Sequence, residues 1–279
     1  MSAELIAVCA FLGCGETAPP GAPSSYSSAE ICLTARDTAD RLTDKGTVSF
    51  EPLPQPNEQD PTVMIDPAKT FQVIEGFGGA LTDASAETYA KLPPESRREI
   101  IDAYFDSESG IGYTLCRTHI NSCDFSSESY SYDDVPGDTE LAHFTIDHDL
   151  RYRIPFIKDI LARAPGLKLF ASPWSPPAWM KTNGDMLHGG KVKPEYRQAW
   201  ADYFVRFVRD YGDAGIPIWG VTVQNEPMSP QRWESCLFTA EEERDFVRDY
   251  LGPTFGKKGL SGLNIIIWDH NRGIMYQRA

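Results

Sequence analysis

Apolar runs and amphipathic stretches alternate along the chain after about residue 70. Five segments carry the apolar and β-branched runs expected of strands: FQVIEGFGG, YTLCRTHI, LKLFASPW, IWGVTVQNEP and LNIIIWDH. Four of them are nearly continuous, as expected where a parallel sheet is covered on both faces. The long connections between them imply right-handed crossovers. The pattern therefore predicts an α/β fold, either a doubly wound sheet or a (β/α)8 barrel.

The segments between these runs have helical periodicity. In PEYRQAWADYFVRFVRDYG the large apolar residues recur at three- and four-residue steps, and Gly212 supplies a stop. PPESRREIIDAYF begins with prolines suited to a first turn, and DHDLRYRIPFIKDILARA is a further helix in which Pro155 is a site for a kink. In TAEEERDFVRDYLG, Thr239 and Glu242 have the spacing of a capping box.

Polar or aromatic residues end every predicted strand. In chain order they are Asp83, Arg117, His119, Trp174, Asn225, Glu226, Asp269 and His270. Because chemistry carried on the ends of several successive parallel strands is typical of a barrel, this arrangement favours the (β/α)8 barrel over the doubly wound sheet. The α/β barrel is predicted over residues 71–279, and a small β-rich segment broken by prolines is predicted over residues 31–70.

Residues 1–30 are predicted to be a leader and a flexible tether. The apolar start is too short to span a bilayer, and it resembles a bacterial lipoprotein signal in which Cys14 would be lipidated. That interpretation predicts export to the periplasm or the cell surface, with a membrane tether through Cys14. Glu4 stands where a signal peptide carries a basic residue, so a cytoplasmic N-terminus or a misplaced start is the alternative.

Composition and net charge limit the classes of partner that the chain is expected to bind. The chain has 279 residues and a net charge of −14, which disfavours binding to nucleic acid or an anionic membrane through a broad basic patch. Six cysteines are present, but those outside the leader form no close CxxC or Cys/His pairing, and they are Cys32, Cys116, Cys123 and Cys236. A metal site is therefore not predicted.

Two motifs have competing interpretations. GFGGALTDA could cradle a phosphate, but it lacks the GxGxxG spacing and the Lys-Ser/Thr of a P-loop, so a strand-to-loop turn is favoured. ASPWSPPAWMKTNG fixes two tryptophans between prolines, and such rigid apolar rings suit the C–H face of a sugar. The alternative is that Trp174 and Trp179 only pack the loop onto the barrel.

QNEP is the most informative motif. A carboxylate at the carboxyl end of a barrel strand, beside an amide that can bond a sugar hydroxyl, is what a glycosidase needs for its proton donor. Glu226 is therefore the candidate acid, and Asn225 the candidate sugar ligand. The alternative is that Glu226 caps a turn or pairs with an arginine.

IEGFGGALTDASAE, YTLCRTHINSCDFSSESYSYDD, LFASPWSPPAWMKTNG and WGVTVQNEP, in this order, resemble glycoside hydrolase family 30 and its glucosylceramidase-like branch. The resemblance implies a (β/α)8 barrel with a side β-sandwich, retaining hydrolysis of β-glycosides, and no metal or organic cofactor. It implies that Glu226 is the acid/base, that Asn225 binds the sugar 2-hydroxyl, and that Asp83 binds outer hydroxyls. It also implies that Trp174 lies in the sugar pocket and that Arg117 holds the carboxylates.

The resemblance also predicts what the chain lacks. The family's nucleophile lies at the end of the seventh barrel strand, and about the first five strands are identified here, so the nucleophile is expected to be absent from this fragment of the barrel. Asp269 has no family support as a nucleophile. The resemblance implies a β-glycoside as substrate, with glucosylceramide or another β-glucoside favoured and β-xylosides, β-fucosides or β-1,6-glucans as alternatives. A non-catalytic carbohydrate-binding remnant is a rival interpretation, and a nucleotide-binding protein is another.

Overall fold

The computed structural model describes residues 7–9, 26–51, 59, 61–63, 65–66 and 69–278. Two compact units divide the chain, Met1–Ile74 and Glu75–Ala279. Most of the predicted leader, including Cys14, lies outside the described residues, as does most of the proline-rich stretch at 52–60. Among the described residues, no helix is long and apolar enough to cross a membrane.

The first unit contains a three-stranded antiparallel sheet. Its strands are β1 (Ala7–Cys9), β2 (Ser28–Thr34) and β3 (Thr43–Ser49), in that spatial order. The register of β2 and β3 pairs Ser28 with Ser49 and shifts between Glu30 and Cys32, which marks a bulge or an irregularity in β2. The described part of this unit is thus β-rich, as the sequence predicts.

The second unit is built on a parallel sheet. Its strands are β4 (Leu115–Ile120), β5 (Lys168–Pro173), β6 (Gly220–Thr222) and β7 (Asn264–Ile266), and they follow one another in the sheet in chain order. Four of the five predicted strands are therefore confirmed, with helices in the connections. The described strands do not close into a barrel, which agrees with the expected incomplete (β/α)8 architecture.

The first predicted strand is largely wrong. No residue of FQVIEGFGG is in a strand, and an isolated parallel bridge to Arg117 is formed only by the next residue, Ala80. Phe71 and Val73 are 86% and 83% exposed, so this apolar run is not buried as a covered strand would be. The backbone from residue 77 to 81 does run beside β4, because the Arg117 N–H donates to Gly79 O at 3.1 Å and the Leu81 N–H donates to Arg117 O at 2.7 Å.

Helices fill the connections. They are α1 (Asp83–Lys91), α2 (Pro94–Phe105), α3 (Asp147–Leu150), α4 (Arg153–Arg163), α5 (Arg197–Asp213), α6 (Ala240–Phe246), α7 (Gly252–Lys257) and α8 (Met275–Arg278). A π-helical segment, Val247–Leu251, joins α6 to α7. Thr239 caps α6 in a capping box with Glu242, as predicted.

Two helix boundaries differ from the prediction. The helix predicted over DHDLRYRIPFIKDILARA is divided into α3 and α4, and Pro155 lies in the first turn of α4, where its missing N–H costs no hydrogen bond. Gly212 does not stop α5, which ends one residue later. The chain reverses instead at Gly215, whose φ is +83° and which allows the Ile216 N–H to donate to Tyr211 O at 2.8 Å.

The core of the second unit is dominated by one face of α5. Its aromatic side chains are fully buried, and they are Trp200, Tyr203, Phe204, Phe207 and Tyr211. This face was the predicted apolar stripe, and it acts in packing rather than in binding a cofactor. Tyr203 also reaches the loop after β4, where its hydroxyl donates to Asn121 Oδ1 at 2.5 Å. The core therefore fixes a loop that lies at the polar end of the sheet.

Gly78→Ala is expected to destabilise the protein, because a Cβ at this position would lie 1.7 Å from Leu115 O in the backbone of β4. Forcing such a contact apart costs about 1–3 kcal/mol. Gly212→Ala is the matched control, since a Cβ there meets nothing within 4 Å and helical alanine is favoured over glycine by roughly 0.5–1 kcal/mol. Urea unfolding midpoints should fall for the first variant and hold or rise for the second, and equal midpoints would contradict the packing described.

Candidate active site

Arg117 joins the carboxyl ends of the parallel strands. Its Nε donates to Ser172 Oγ in β5 at 2.8 Å, and its Nη2 donates to Asn225 Oδ1 at 2.7 Å and to Asp269 Oδ2 at 2.6 Å. The guanidinium carbon also lies 4.5 Å from the ring centre of Trp174. A planar fork with fixed donor directions suits several acceptors at once. Arg117 therefore sets the spacing of the side chains that end β5, β6 and β7.

Glu226 lies in a strained turn just beyond β6. Its φ is +44°, which is unfavourable for a residue with a side chain and is common at functional sites. Backbone hydrogen bonds hold it there: the Glu226 N–H donates to Asp269 O at 2.8 Å, and the Ser229 N–H donates to Glu226 O at 2.9 Å. The turn directs the chain away from the sheet, and the Glu226 side chain remains half-buried at the sheet's polar end.

A cavity of about 470 Å³ opens at this end of the sheet. Its lining residues are Ala80, Thr82, Arg117, Asp124, Phe125, Trp174, Asn225, Glu226, Gln231 and Trp233. Four of the five predicted site residues are among them, so the structure brings Arg117, Trp174, Asn225 and Glu226 together. A mixture of carboxylates, an amide and tryptophans around a cavity of this size suits a small polar ligand with an apolar face.

Asn225 and Trp174 are held from behind. Asn225 Oδ1 accepts from Arg117, and Asn225 Nδ2 donates to none of the described residues, so this amide NH2 group can donate to a ligand hydroxyl. Trp174 is 8% exposed and has an edge-on contact with His119, with ring centres 6.2 Å apart. Both side chains are therefore fixed before a ligand arrives, which reduces the entropy cost of binding.

Asp83 is not among the residues that line the cavity, and its role as a ligand of sugar hydroxyls stays a prediction. It is the first residue of α1 and is 3% exposed. Its Oδ2 accepts from Ser126 Oγ at 2.5 Å and from the Tyr130 hydroxyl at 2.9 Å, and Arg153 Nε lies 3.7 Å from its Oδ1. Both carboxylate oxygens of Asp83 therefore face protein groups in this structure.

Asp124 is a carboxylate of the cavity lining that the sequence analysis did not select. It lies near the start of the loop after β4 and lines the cavity. Burial raises its pKa, the charges of Glu226 and Glu234 raise it further, and a hydrogen bond from Trp174 opposes the shift. Asp124 was missed because it lies four residues beyond β4 in NSCDF, and only the fold shows that this loop returns to the cavity. Gln231 and Trp233 were missed for the same reason.

Behind the cavity lies a fully buried charge network around Arg153. Its guanidinium pairs with Asp149, whose Oδ2 also accepts from the hydroxyls of Tyr132 at 2.6 Å and Tyr211 at 2.7 Å. These interactions hold the pKa of Asp149 below its usual range despite burial. Buried ion pairs are expensive to form and more expensive to break, so this network constrains the fold more than it stabilises it.

His119 is kept neutral in this network. Its Nε2 accepts from the Asp83 N–H at 3.2 Å, and its Nδ1 lies 2.6 Å from Asn121 O, so the proton belongs on Nδ1. Burial lowers the pKa of His119 to about 4, and the nearby Arg153 charge lowers it in the same direction, while Asp83 opposes both. Protonation of His119 Nε2 is disfavoured, because its hydrogen would point at the Asp83 N–H, which already donates to this nitrogen.

One group of metal-ligand residue types occurs among the described residues: Asp83, His148 and Asp149, with ligand atoms within 4.8 Å of one another. Arg153 lies against both carboxylates and already supplies the compensating charge. Ion pairing therefore accounts for this cluster without a metal. Cys32, Cys116, Cys123 and Cys236 are free thiols, and the last three are buried.

Comparison with known proteins supports a family assignment. The family model described as the glycosyl hydrolase family 30 TIM-barrel domain matches residues 74–279. A candidate glucosylceramidase of Caenorhabditis elegans, glucosylceramidase 3, is 39% identical over 98% of this chain and 53% of its own length. The lysosomal acid glucosylceramidase of Mus musculus is 39% identical over 68% of this chain and 38% of its own length. The chain thus spans about half the length, or less, of these relatives.

Solved structures agree with the sheet topology. The crystal structure of SrfJ from Salmonella typhimurium superposes with a TM-score of 0.79 at 35% identity, covering 85% of this chain and 53% of that one. The endo-beta1,6-glucanase BT3312 superposes with a TM-score of 0.69 at 34% identity, covering 74% of this chain and 46% of that one.

Stability is expected to depend on His119 between pH 6.5 and pH 4. The unfolded chain takes up a proton near the usual pKa of 6.5, whereas native His119 does so only near 4. The free energy of unfolding should therefore fall as the pH is lowered through this window, by up to about 1.4 kcal/mol per pH unit from this residue. Urea unfolding at several pH values would measure it.

His119→Gln should reduce this slope, because glutamine does not titrate. His143→Gln is the control, since the His143 ring is exposed whereas the His119 ring is buried. Identical pH slopes for the wild type and His119→Gln would show that His119 is not held neutral in the native protein.

Proposed function

The chain belongs to glycosyl hydrolase family 30, and on that premise we propose that the protein hydrolyses β-glycosides with retention of configuration, as a glucosylceramidase-like enzyme acting on β-glucosyl linkages. The observation that carries the proposal is Glu226, a half-buried carboxyl group in a strained turn that opens on a cavity of about 470 Å³. Cleavage of a glycosidic bond requires a proton for the departing oxygen, and a partly desolvated carboxyl group can supply it.

The residues around Glu226 fit recognition of one sugar ring. Asn225 offers its side-chain amide NH2 group beside the acid, in the position needed to bond a hydroxyl next to the reacting carbon. Asp124 offers a carboxylate that can accept hydrogen bonds from two hydroxyls, and Trp174 offers an immobilised ring. Arg117 acts through Asn225 and Asp269 and sets their positions, so it is a positioning residue.

The proposed mechanism has two steps. Glu226 donates its proton to the leaving oxygen while a second carboxylate, about 5–5.5 Å away, attacks the anomeric carbon. Glu226, now ionised, then takes a proton from water as that water releases the sugar. Asp269 is poorly suited to the attack, because its Oδ2 accepts from both Arg117 at 2.6 Å and Thr222 at 2.9 Å. The family resemblance assigns the nucleophile to a later strand.

A β-1,6-glucanase activity is the second candidate. The similarity to an endo-beta1,6-glucanase at 34% identity favours it nearly as much as the glucosylceramidase relatives favour the first. Comparing hydrolysis of glucosylceramide, simple alkyl β-glucosides and β-1,6-glucan by the full-length protein separates the two. Binding of glucosides without any turnover would support the carbohydrate-binding alternative instead.

Glu226→Gln should distinguish the role of proton donor from a structural role. An aryl glucoside with a good leaving group needs little protonation, whereas an alkyl glucoside needs a full proton. In the full-length protein, we expect kcat/KM for the alkyl substrate to fall by about 10²–10⁴ and that for 2,4-dinitrophenyl β-glucoside to fall much less. Equal losses on both substrates would exclude Glu226 as the acid.

Asp124→Asn and Asp83→Asn should have opposite consequences. Losing the charged acceptor at Asp124 should lower kcat/KM by about 10- to 100-fold with little change in unfolding midpoint, since a hydrogen bond to a charged group is worth about 1.5–3 kcal/mol. Asp83→Asn should lower the unfolding midpoint, because it leaves Arg153 under-compensated. Steady-state kinetics and urea unfolding on both variants measure this, with exposed Asp134→Asn as the control. The reverse pattern would restore Asp83 as the sugar ligand.

A further inference from the structure

Glu226 has one side-chain hydrogen bond in the described part of the chain. Gln231 Nε2 donates to Glu226 Oε2 at 3.1 Å, and no described residue bonds Glu226 Oε1. Both side chains line the cavity. The two carboxyl oxygens of Glu226 therefore have different surroundings. Oε2 accepts from a neutral amide, and Oε1 has no partner among the described residues.

Gln231 is itself held in place. Its N–H donates to Ser235 Oγ at 3.0 Å, and its carbonyl accepts from the His188 N–H at 2.9 Å. His188 belongs to the loop after β5, so the two loops that flank the cavity are joined at this residue. The short span between Gln231 and Ser235 and the second loop together leave the Gln231 backbone little freedom.

Lys181 also joins the two loops that flank the cavity. It is fully buried, and its ammonium group donates to Met186 O at 2.9 Å and to Ser235 O at 2.6 Å. A buried ammonium group that bonds two carbonyls of different loops is costly to displace. The position of the Gln231 amide relative to Glu226 is thus fixed by the loops, and it does not depend on a ligand.

We propose that Gln231 is a positioning residue that decides which oxygen of Glu226 carries the catalytic proton. A lone pair on Oε2 can accept the hydrogen bond from the Gln231 N–H. A hydrogen on Oε2 would instead be repelled by that N–H. The proton is therefore placed on Oε1, the oxygen that no described residue occupies and that a leaving group can reach. Glutamine suits this task because it orients the carboxyl group without adding a charge.

The inference rests on the proposed glycosidase function and goes one step further, from the identity of the acid to the atom that holds its proton. Without the amide, the proton is no longer confined to Oε1 and the carboxyl group is no longer held in one orientation, so only a small part of the molecules would be ready to protonate a leaving oxygen. The cost should fall on the step that needs the proton, and substrate binding should change little.

Gln231→Met tests this in the full-length protein, because methionine has a similar shape and no hydrogen-bonding amide. For an alkyl β-glucoside we expect kcat to fall by about 10-fold with KM nearly unchanged, the equivalent of one hydrogen bond of about 1.4 kcal/mol. For 2,4-dinitrophenyl β-glucoside we expect a change of less than about twofold, since that leaving group needs little protonation. Gln231→Asn, whose shorter amide cannot reach Oε2, should show the same selectivity.

Arg232→Met is the matched control, because Arg232 is exposed on the same loop. It should leave both substrates unaffected. Equal losses on the two substrates in both Gln231 variants would overturn the inference, since they would indicate a displaced loop, and so would full activity on the alkyl glucoside. If the wild type hydrolysed neither substrate, the proposed function itself would fail, whereas failure of this inference alone leaves the wild type active and the Glu226→Gln contrast intact.

Discussion

The arrangement of the candidate site depends on one guanidinium group. Arg117 lies in β4, yet it donates to Ser172 in β5, to Asn225 beyond β6 and to Asp269 beyond β7. Backbone pairing alone is sparse at this end of the sheet, where the two last strands each have three residues. A flexible ammonium group could not hold three acceptors at fixed angles. The distances between side chains from different strands therefore follow from Arg117 more than from the ladder of backbone hydrogen bonds.

The second constraint is the turn at Glu226. A residue with a side chain at positive φ costs on the order of 1–3 kcal/mol, so its surroundings must compensate. Here the Glu226 N–H is held by Asp269 O, and the Glu226 carbonyl oxygen accepts from the Ser229 N–H. This explains why an apolar strand ends abruptly in polar residues: β6 stops at Thr222, and the residues after it are used to aim a carboxyl group. The strained backbone at Glu226 therefore holds its carboxyl group in a fixed position.

The sequence predicts those features that depend on local patterns. The apolar stripe of α5, the capping box at Thr239 and four of the parallel strands depend on neighbours a few residues apart, and they are confirmed. The exposure of Phe71, the turn at Gly215 and the division of the helix before Pro155 depend on what else packs nearby, and they were missed. The same distinction applies to the site. Arg117, Asn225 and Glu226 lie on or next to strands, whereas Asp124 and Gln231 lie on loops whose return to the cavity only the fold reveals.

Arg117 and Arg153 pair with different carboxylates. Arg153 takes Asp83 and Asp149, and Arg117 takes Asp269. Asp124 and Glu226 also lie at the polar end of the sheet, and neither forms an ion pair with a described residue. A carboxyl group without a cationic partner is free to change its protonation or to accept hydrogen bonds from a ligand. Among the described residues, the pairing with arginines therefore distinguishes Asp83, Asp149 and Asp269, which are held in ion pairs, from Asp124 and Glu226, which line the cavity without one.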